Sequence, residues 1–190
     1  MSPTEVFAHK AIRIWPPIGL VAMLLLGLAV GKRSTPLDDW FQHRDIFPWM
    51  LLILTNVFVI AGVLTVAFVV ALVRRQWRLA MVMVLWPPGG IVLARLLKHM
   101  FDREKGGGLA YPSGHITTLV VVMCMVVLVA GGARWALITA AVVIPLGMVG
   151  IGLTYHYFTD TVGALLLGTA IACLAARVVM AAPAPAPSPT

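Results

Sequence analysis

Residues 106–133 read GGGLAYPSGHITTLVVVMCMVVLVAGGA, a stretch without Asp, Glu, Lys or Arg that opens on a short polar motif and continues into an apolar run. A run of this kind is long enough to cross a bilayer as a helix that satisfies its own backbone. Similar charge-free runs occupy 14–31, 46–73, 79–94, 135–159 and 161–176. Together they predict an all-α polytopic membrane protein with six transmembrane helices and both termini on one side. The composition agrees, at 61% hydrophobic and 11% charged over 190 residues, where soluble domains average roughly 45–50% and about 25%. Roughly 20 residues per span leaves no room for a separate globular domain. One membrane domain over 1–180 is expected, followed by an Ala/Pro-rich tail, 181–190, whose composition predicts disorder.

Within the runs, Pro87-Pro88-Gly89-Gly90 and Pro145 predict kinks, because a proline leaves a carbonyl unpaired in the preceding turn. Ser34-Thr35-Pro36-Leu37-Asp38 reads as an N-cap, a proline at the first helical position and an acidic first turn. Flanked by Trp40, Phe41, Phe47 and Trp49, it predicts a short helix in the membrane interface between the first two spans. The run after Lys10 and Arg13 has no clean small-x-small cleavage site and is read as an uncleaved first span. Gly27 and Gly31 have the spacing of a helix-packing motif, which is weak evidence of self-association in a glycine-rich chain.

The formal net charge of +7 is spread singly between apolar runs and forms no basic block, which argues against nucleic acid and for anionic lipid headgroups. Cys124 and Cys173 sit inside apolar runs without a second ligand-rich partner, so neither a disulfide framework nor a thiolate zinc site is expected. With the N-terminus inside, Lys and Arg divide equally between the two sides. Setting aside the cluster from Arg95 to Lys105 as partly held by ligand chemistry tips the balance to an inside N-terminus, with that cluster on the outer or periplasmic face of an inner (plasma) membrane.

Ionisable groups at membrane depth cost several kcal/mol, about 2.5–3.5 on translocon scales, and mark functional sites. They cluster at 95–105, at Tyr111-Pro112-Ser113-Gly114-His115 and at His156-Tyr157-Phe158-Thr159-Asp160. The chain between His115 and His156 is about two spans long at roughly 20 residues each, so it returns to the side it left. All three clusters are therefore expected at one membrane surface. Ser113 can cap the helix that follows, leaving the N–H groups of Gly114, His115 and Ile116 facing an anion, which Gly114 lets approach closely. His156 and Asp160, four apart, fall on one helical face, where the carboxylate can accept the Nδ1 proton and present Nε2 as a nucleophile or base. Lys98 and Arg103 add permanent positive charge. This set suits binding and cleaving a phosphate ester.

The chain resembles the type-2 phosphatidic acid phosphatase family, whose motifs read Lys-x6-Arg-Pro, Pro-Ser-Gly-His and Ser-Arg-x5-His-x3-Asp on a six-helix membrane core. The second motif is complete at 112–115, and the His-x3-Asp half of the third stands at 156–160. The resemblance implies a nucleophilic His156 forming a phosphohistidine, Asp160 orienting it and His115 as acid for the leaving group. It implies phosphate binding by Lys98, Ser113 and Gly114, with neither metal nor cofactor required. The substrate would be a membrane lipid phosphate, a polyprenyl phosphate or diphosphate being favoured over phosphatidate because the protein is small and has no further domain.

Two positions depart from the family pattern. Val149 and Gly150 stand where the third motif has Ser and Arg, and Lys105-Gly106 stands where the first has Arg-Pro. Either Arg103 or Lys105 can take the first-motif role, and Arg103 is preferred for its planar two-oxygen fork. Arg95 and Lys105 are equally well read as snorkelling cations. The missing arginine also allows a second reading, a lipid-phosphate-binding or transport protein that kept the fold and lost turnover.

Overall fold

The computed structural model describes residues 3–44 and 49–181, with side chains from 10 onward. It is helical apart from a two-residue antiparallel hairpin. In order come α1 (Pro3–Val30), α2 (Pro36–Gln42), α3 (Trp49–Leu52), a 3-10 turn (Ile53–Thr55), α4 (Val57–Val73) and α5 (Trp77–Phe101). There follow β1 (Glu104–Lys105), β2 (Gly108–Leu109), α6 (Gly114–Val129), α7 (Arg134–Leu153) and α8 (Phe158–Met180). The tail expected from composition lies outside the described residues except for Ala181, as does Phe47.

Among the described residues, four helices are long and apolar enough to cross a membrane: Lys10–Val30, Trp77–Phe101, Arg134–Leu153 and Phe158–Met180. A fifth span exists if Trp49–Thr55 and Val57–Val73, bent by 41°, are counted as one. The described part of the run 46–73 is thus α3, the 3-10 turn and α4, and not one helix. Asn56 makes the break: its backbone is extended and its side chain accepts from the N–H of Phe58, capping α4. The run 106–133 is also shorter as a helix than as an apolar stretch. Gly106 and Gly107 take positive φ in the hairpin turn, Gly131 and Gly132 do so after α6, and the helix between them has 16 residues. At about 1.5 Å per residue it falls short of a hydrocarbon core about 30 Å thick. α5 continues through Pro87-Pro88, and α7 through Pro145, without a break in helical assignment.

α6 and α8 form the centre, α6 packing on α4, α5, α7 and α8, and α8 packing also on α1. Small residues let them approach closely. A Cβ at Gly168 would stand 2.7 Å from that of Val120, and one at Gly163 would overlap the ring of Tyr111. Gly27 likewise faces Phe101 and Tyr111 of its own chain, so its smallness serves packing within the chain. Ile116, Val120, Val121 and Met125 of α6 and Leu167 and Ala175 of α8 are fully buried, while α4 and α5 expose Phe58, Val66, Val73, Met81 and Leu96. A helix apolar on its outward face is suited to lipid contact. The C-terminal ends of α1, α5 and α7 and the N-terminal ends of α4, α6 and α8 gather at one end of the bundle with α2. There Lys32 pairs with Asp102, and Phe41 stacks on Phe158 at 3.9 Å.

Candidate active site

The three polar clusters meet at this end. α5 brings Lys98 in its last turn, α6 begins at Gly114 and so places His115 at its second position, and the short loop before α8 carries His156. Lys98, Gly114, His115 and His156 line one cavity of about 480 Å³, together with Arg95, Thr55 and Thr118. Its remaining walls are apolar: Val57, Ile60, Ile91 and Ala94. The His115 and His156 rings are 6.3 Å apart between centroids and steeply inclined, so an atom between them can be reached by both. His115 is exposed and His156 is 6% exposed. Lys98 Nζ donates to the carbonyl of Leu109 at 2.7 Å, which ties the hairpin to the cavity wall.

Asp160 stands behind His156. Its Oδ2 lies 3.6 Å from His156 Nδ1, longer than a hydrogen bond, and Nδ1 is buried without a partner. Oδ2 instead accepts from the N–H of Tyr157, and Oδ1 accepts from Arg103 Nη1, both at about 2.9 Å or less. The carbonyl of Asp160 accepts from the N–H of Ser113 at 3.1 Å, joining the starts of α6 and α8.

Three expected phosphate ligands, Ser113, Arg103 and Lys105, do not line the cavity. Ser113 occupies the N-cap of α6, but its side chain makes no cap hydrogen bond and its Oγ is buried without a partner. Arg103 is fully buried and does not line the cavity. Nη1 donates to Asp160 Oδ1 and Thr159 Oγ1, each at 2.8 Å; Nη2 donates to Asp38 Oδ2 and the carbonyl of Arg33, each at 2.9 Å. Two carboxylates thus occupy the fork expected to hold phosphate, because a guanidinium removed from water must be paired. Its plane lies over the Tyr157 ring, 4.4 Å from the centroid. Lys105 Nζ donates to the carbonyl of His156 at 2.6 Å, beside the site and not lining it. Burial holds its ammonium pKa below the ordinary value, although Asp160 and Asp38 oppose that shift.

Gly150, in the third-motif arginine position, is pressed against α3. A Cβ there would stand 2.8 Å from that of Leu51 and 3.2 Å from the Leu51 carbonyl carbon. The segment 49–52 fills the space a larger side chain would need.

Asp38 escaped the sequence reading as a site residue and entered it only as part of an acidic first turn. It is fully buried, accepting from the N–H and Oγ1 of both Thr35 and Thr159 as well as from Arg103. Burial, the largest single influence, pushes its carboxyl up, but the donors of Thr159 and Thr35 together hold it below the usual carboxylate value. The available signal was scarcity, since only seven acidic residues occur in the chain. Each carboxylate in so apolar a protein is a candidate partner for a buried cation.

A nucleophile-capable imidazole, a second imidazole and a lysine on one cavity, backed by a buried carboxylate, form a site suited to a phosphate ester. Residues 96–183 match the family model described as PAP2 superfamily. The chain resembles the type-2 phosphatidic acid phosphatases. Members of that family are phosphatases, and the matched stretch runs from the last turns of α5 to just beyond α8. The cluster Lys98, His115, His156 and Asp160 falls inside it, whereas Asp38 and Arg95 lie before it. Searches of curated proteins and of solved structures found no match.

Proposed function

We propose that the protein is a metal-independent lipid phosphate phosphatase acting through a phosphohistidine, with the bundle spanning the membrane six times. In this reading α6 is a short span shielded by its neighbours, α2 lies in the interface and the cavity faces the outer side of an inner (plasma) membrane. The convergence of Lys98, His115 and His156 on one partly apolar cavity carries the proposal.

His156 Nε2 attacks phosphorus and the ester P–O bond breaks, while His115 donates its proton to the leaving oxygen. Water then attacks the phosphohistidine and gives a proton to His115. The N–P bond breaks, inorganic phosphate leaves and both histidines are restored. Asp160 favours the imidazole with its proton on Nδ1. The 3.6 Å separation is the kind that tightens when substrate docks. Lys98 and the first N–H groups of α6 meet the phosphoryl charge. The bilayer supplies the substrate, the apolar wall of Val57, Ile60, Ile91 and Ala94 receives its tail, and a polyprenyl phosphate or diphosphate is preferred over phosphatidate.

The second reading, a lipid-phosphate-binding protein without turnover, draws on Gly150 and on the inward Arg103, which together leave the transferred phosphate short of guanidinium contacts. Purified protein should release inorganic phosphate from a panel of lipid phosphates with no metal added, and His156→Ala should release none. Equal release by the two proteins rejects the phosphatase reading; saturable binding without release by the wild type supports the alternative.

A further inference from the structure

The cavity has a vertical order that its two halves share. On α5, Lys98 lies toward the end of the bundle, Arg95 one turn deeper and Ile91 another turn deeper. On α6, Gly114 and His115 open the helix and Thr118 lies one turn in. Residues three apart share a helical face, and three residues rise about 4.5 Å. The cavity therefore holds a terminal-phosphate level at Lys98, His115 and His156. Below it come a second polar level at Arg95 and then apolar walls.

At the second level the hydroxyls are committed elsewhere. Thr118 Oγ1 donates to the carbonyl of Gly114 and Thr55 Oγ1 to that of Leu52. Arg95 is the remaining strong donor there, and no carboxylate pairs with it among the described residues. A permanent cation between a phosphate site and an apolar wall matches a second anionic group on the lipid side of the first.

We propose that Arg95 binds the lipid-side phosphate of a lipid diphosphate, which makes this chain's preferred substrate a diphosphate and not a monophosphate. The inference rests on the phosphatase reading and deepens it. In the reaction, the bond from His156 Nε2 to the terminal phosphorus forms and the bond from that phosphorus to the bridging oxygen breaks. The bridging oxygen stays on the lipid monophosphate, and water hydrolyses the phosphohistidine to inorganic phosphate. Arg95 meets the negative charge arriving on the departing phosphate. Such a leaving group is a far weaker base than an alkoxide, with a second pKa of about 6, and it demands less of a site with Gly150 in the arginine position. Arg95 precedes the family match, so the family pattern does not account for it.

The test compares the detergent-solubilised full chain with Arg95→Ala on farnesyl diphosphate and on farnesyl phosphate, followed by inorganic phosphate release. Loss of a charge-assisted contact lowers kcat/KM about 10- to 150-fold. That loss is expected for the diphosphate, with less than about a 3-fold change for the monophosphate. Equal losses on both substrates, or none on the diphosphate, overturn the proposal. A binding arm keeps it decidable if the wild type releases phosphate from neither substrate, a result that rejects the phosphatase reading alone. Farnesyl methylenediphosphonate should raise the Tm of the wild type more than that of Arg95→Ala, and farnesyl phosphonate should raise both alike. Identical shifts in the two proteins with the diphosphonate refute the subsite, and an equal wild-type shift with inorganic diphosphate refutes its lipid character.

Discussion

Arg103 shows how one residue's role depends on what surrounds it. Its position in a polar cluster two residues from Lys105 suits a phosphate ligand, yet its guanidinium is closed between Asp38 and Asp160. Removing one member of a buried ionic set leaves the others uncompensated, at a cost of about 3–5 kcal/mol. Arg103→Ala is therefore expected to lower the Tm and the yield of folded protein, where a phosphate ligand would lower activity alone. Lys105→Ala keeps the buried set and should fold normally. His156→Ala should insert and fold but lose phosphate release, while Asp160→Asn should lose stability as well as rate, because Asp160 also holds Arg103 and the N–H of Tyr157. Thermal denaturation beside phosphate release separates these outcomes. A fully stable, inactive Arg103→Ala would restore that residue to the phosphate site.

At the scale of elements, short segments decide what the long helices present. α3 and the 3-10 turn lie across α7 at Gly150 and bring Thr55 to the cavity, so the family arginine cannot simply be restored. Gly150→Arg is expected to destabilise the protein by displacing the backbone at Leu51, and not to raise activity. Melting and phosphate release together test this; a stable, faster variant would show that α3 yields. Asn56 sets where α4 begins, and Asn56→Ala should cost about 0.5–2 kcal/mol, read as a fall in Tm. Periodicity and charge could not reveal this break, because Asn56 is uncharged and sits in an otherwise apolar run. The α2 helix was legible from Thr35, Pro36 and Asp38, but its docking was not. The packing of Phe41 on Phe158 and of Asp38 beneath Thr159 depends on elements more than a hundred residues away.

For the whole molecule, the gathering of helix ends predicts a sidedness. In a background lacking Cys124 and Cys173, single cysteines at Gly107 and Thr159 should both react with an impermeant thiol reagent from one side. One at Gln76 should react from the other. Because Thr159 is buried, a cysteine at the exposed Tyr155 reports on the same loop with the membrane kept intact. Reaction of 107 and 155 from opposite faces would take the pocket apart. The buried set also links folding to acid. Asp38 titrates below its ordinary 3.8 in the folded protein, so its contribution is present above that value and is lost as pH falls through the folded pKa. Tm should fall on acidification below about pH 4, less steeply in Asp38→Asn, whose Tm at neutral pH is already reduced.

The sequence by itself determined that the chain is helical and suited to a membrane, because sustained apolar runs leave the backbone few ways to satisfy its hydrogen bonds. It also determined that Lys98, His115 and His156 return to one end, because span length sets where a chain re-emerges. Tertiary structure alone decided which cations face the cavity. Arg95, Arg103 and Lys105 are chemically similar candidates within one stretch of chain. What separates them is the presence of two buried carboxylates, one of them contributed by α2, that draw the Arg103 guanidinium inward and leave Arg95 on the cavity wall. Desolvation makes that choice, and desolvation is a property of the packed molecule, since it depends on neighbours that no local pattern of residues brings together.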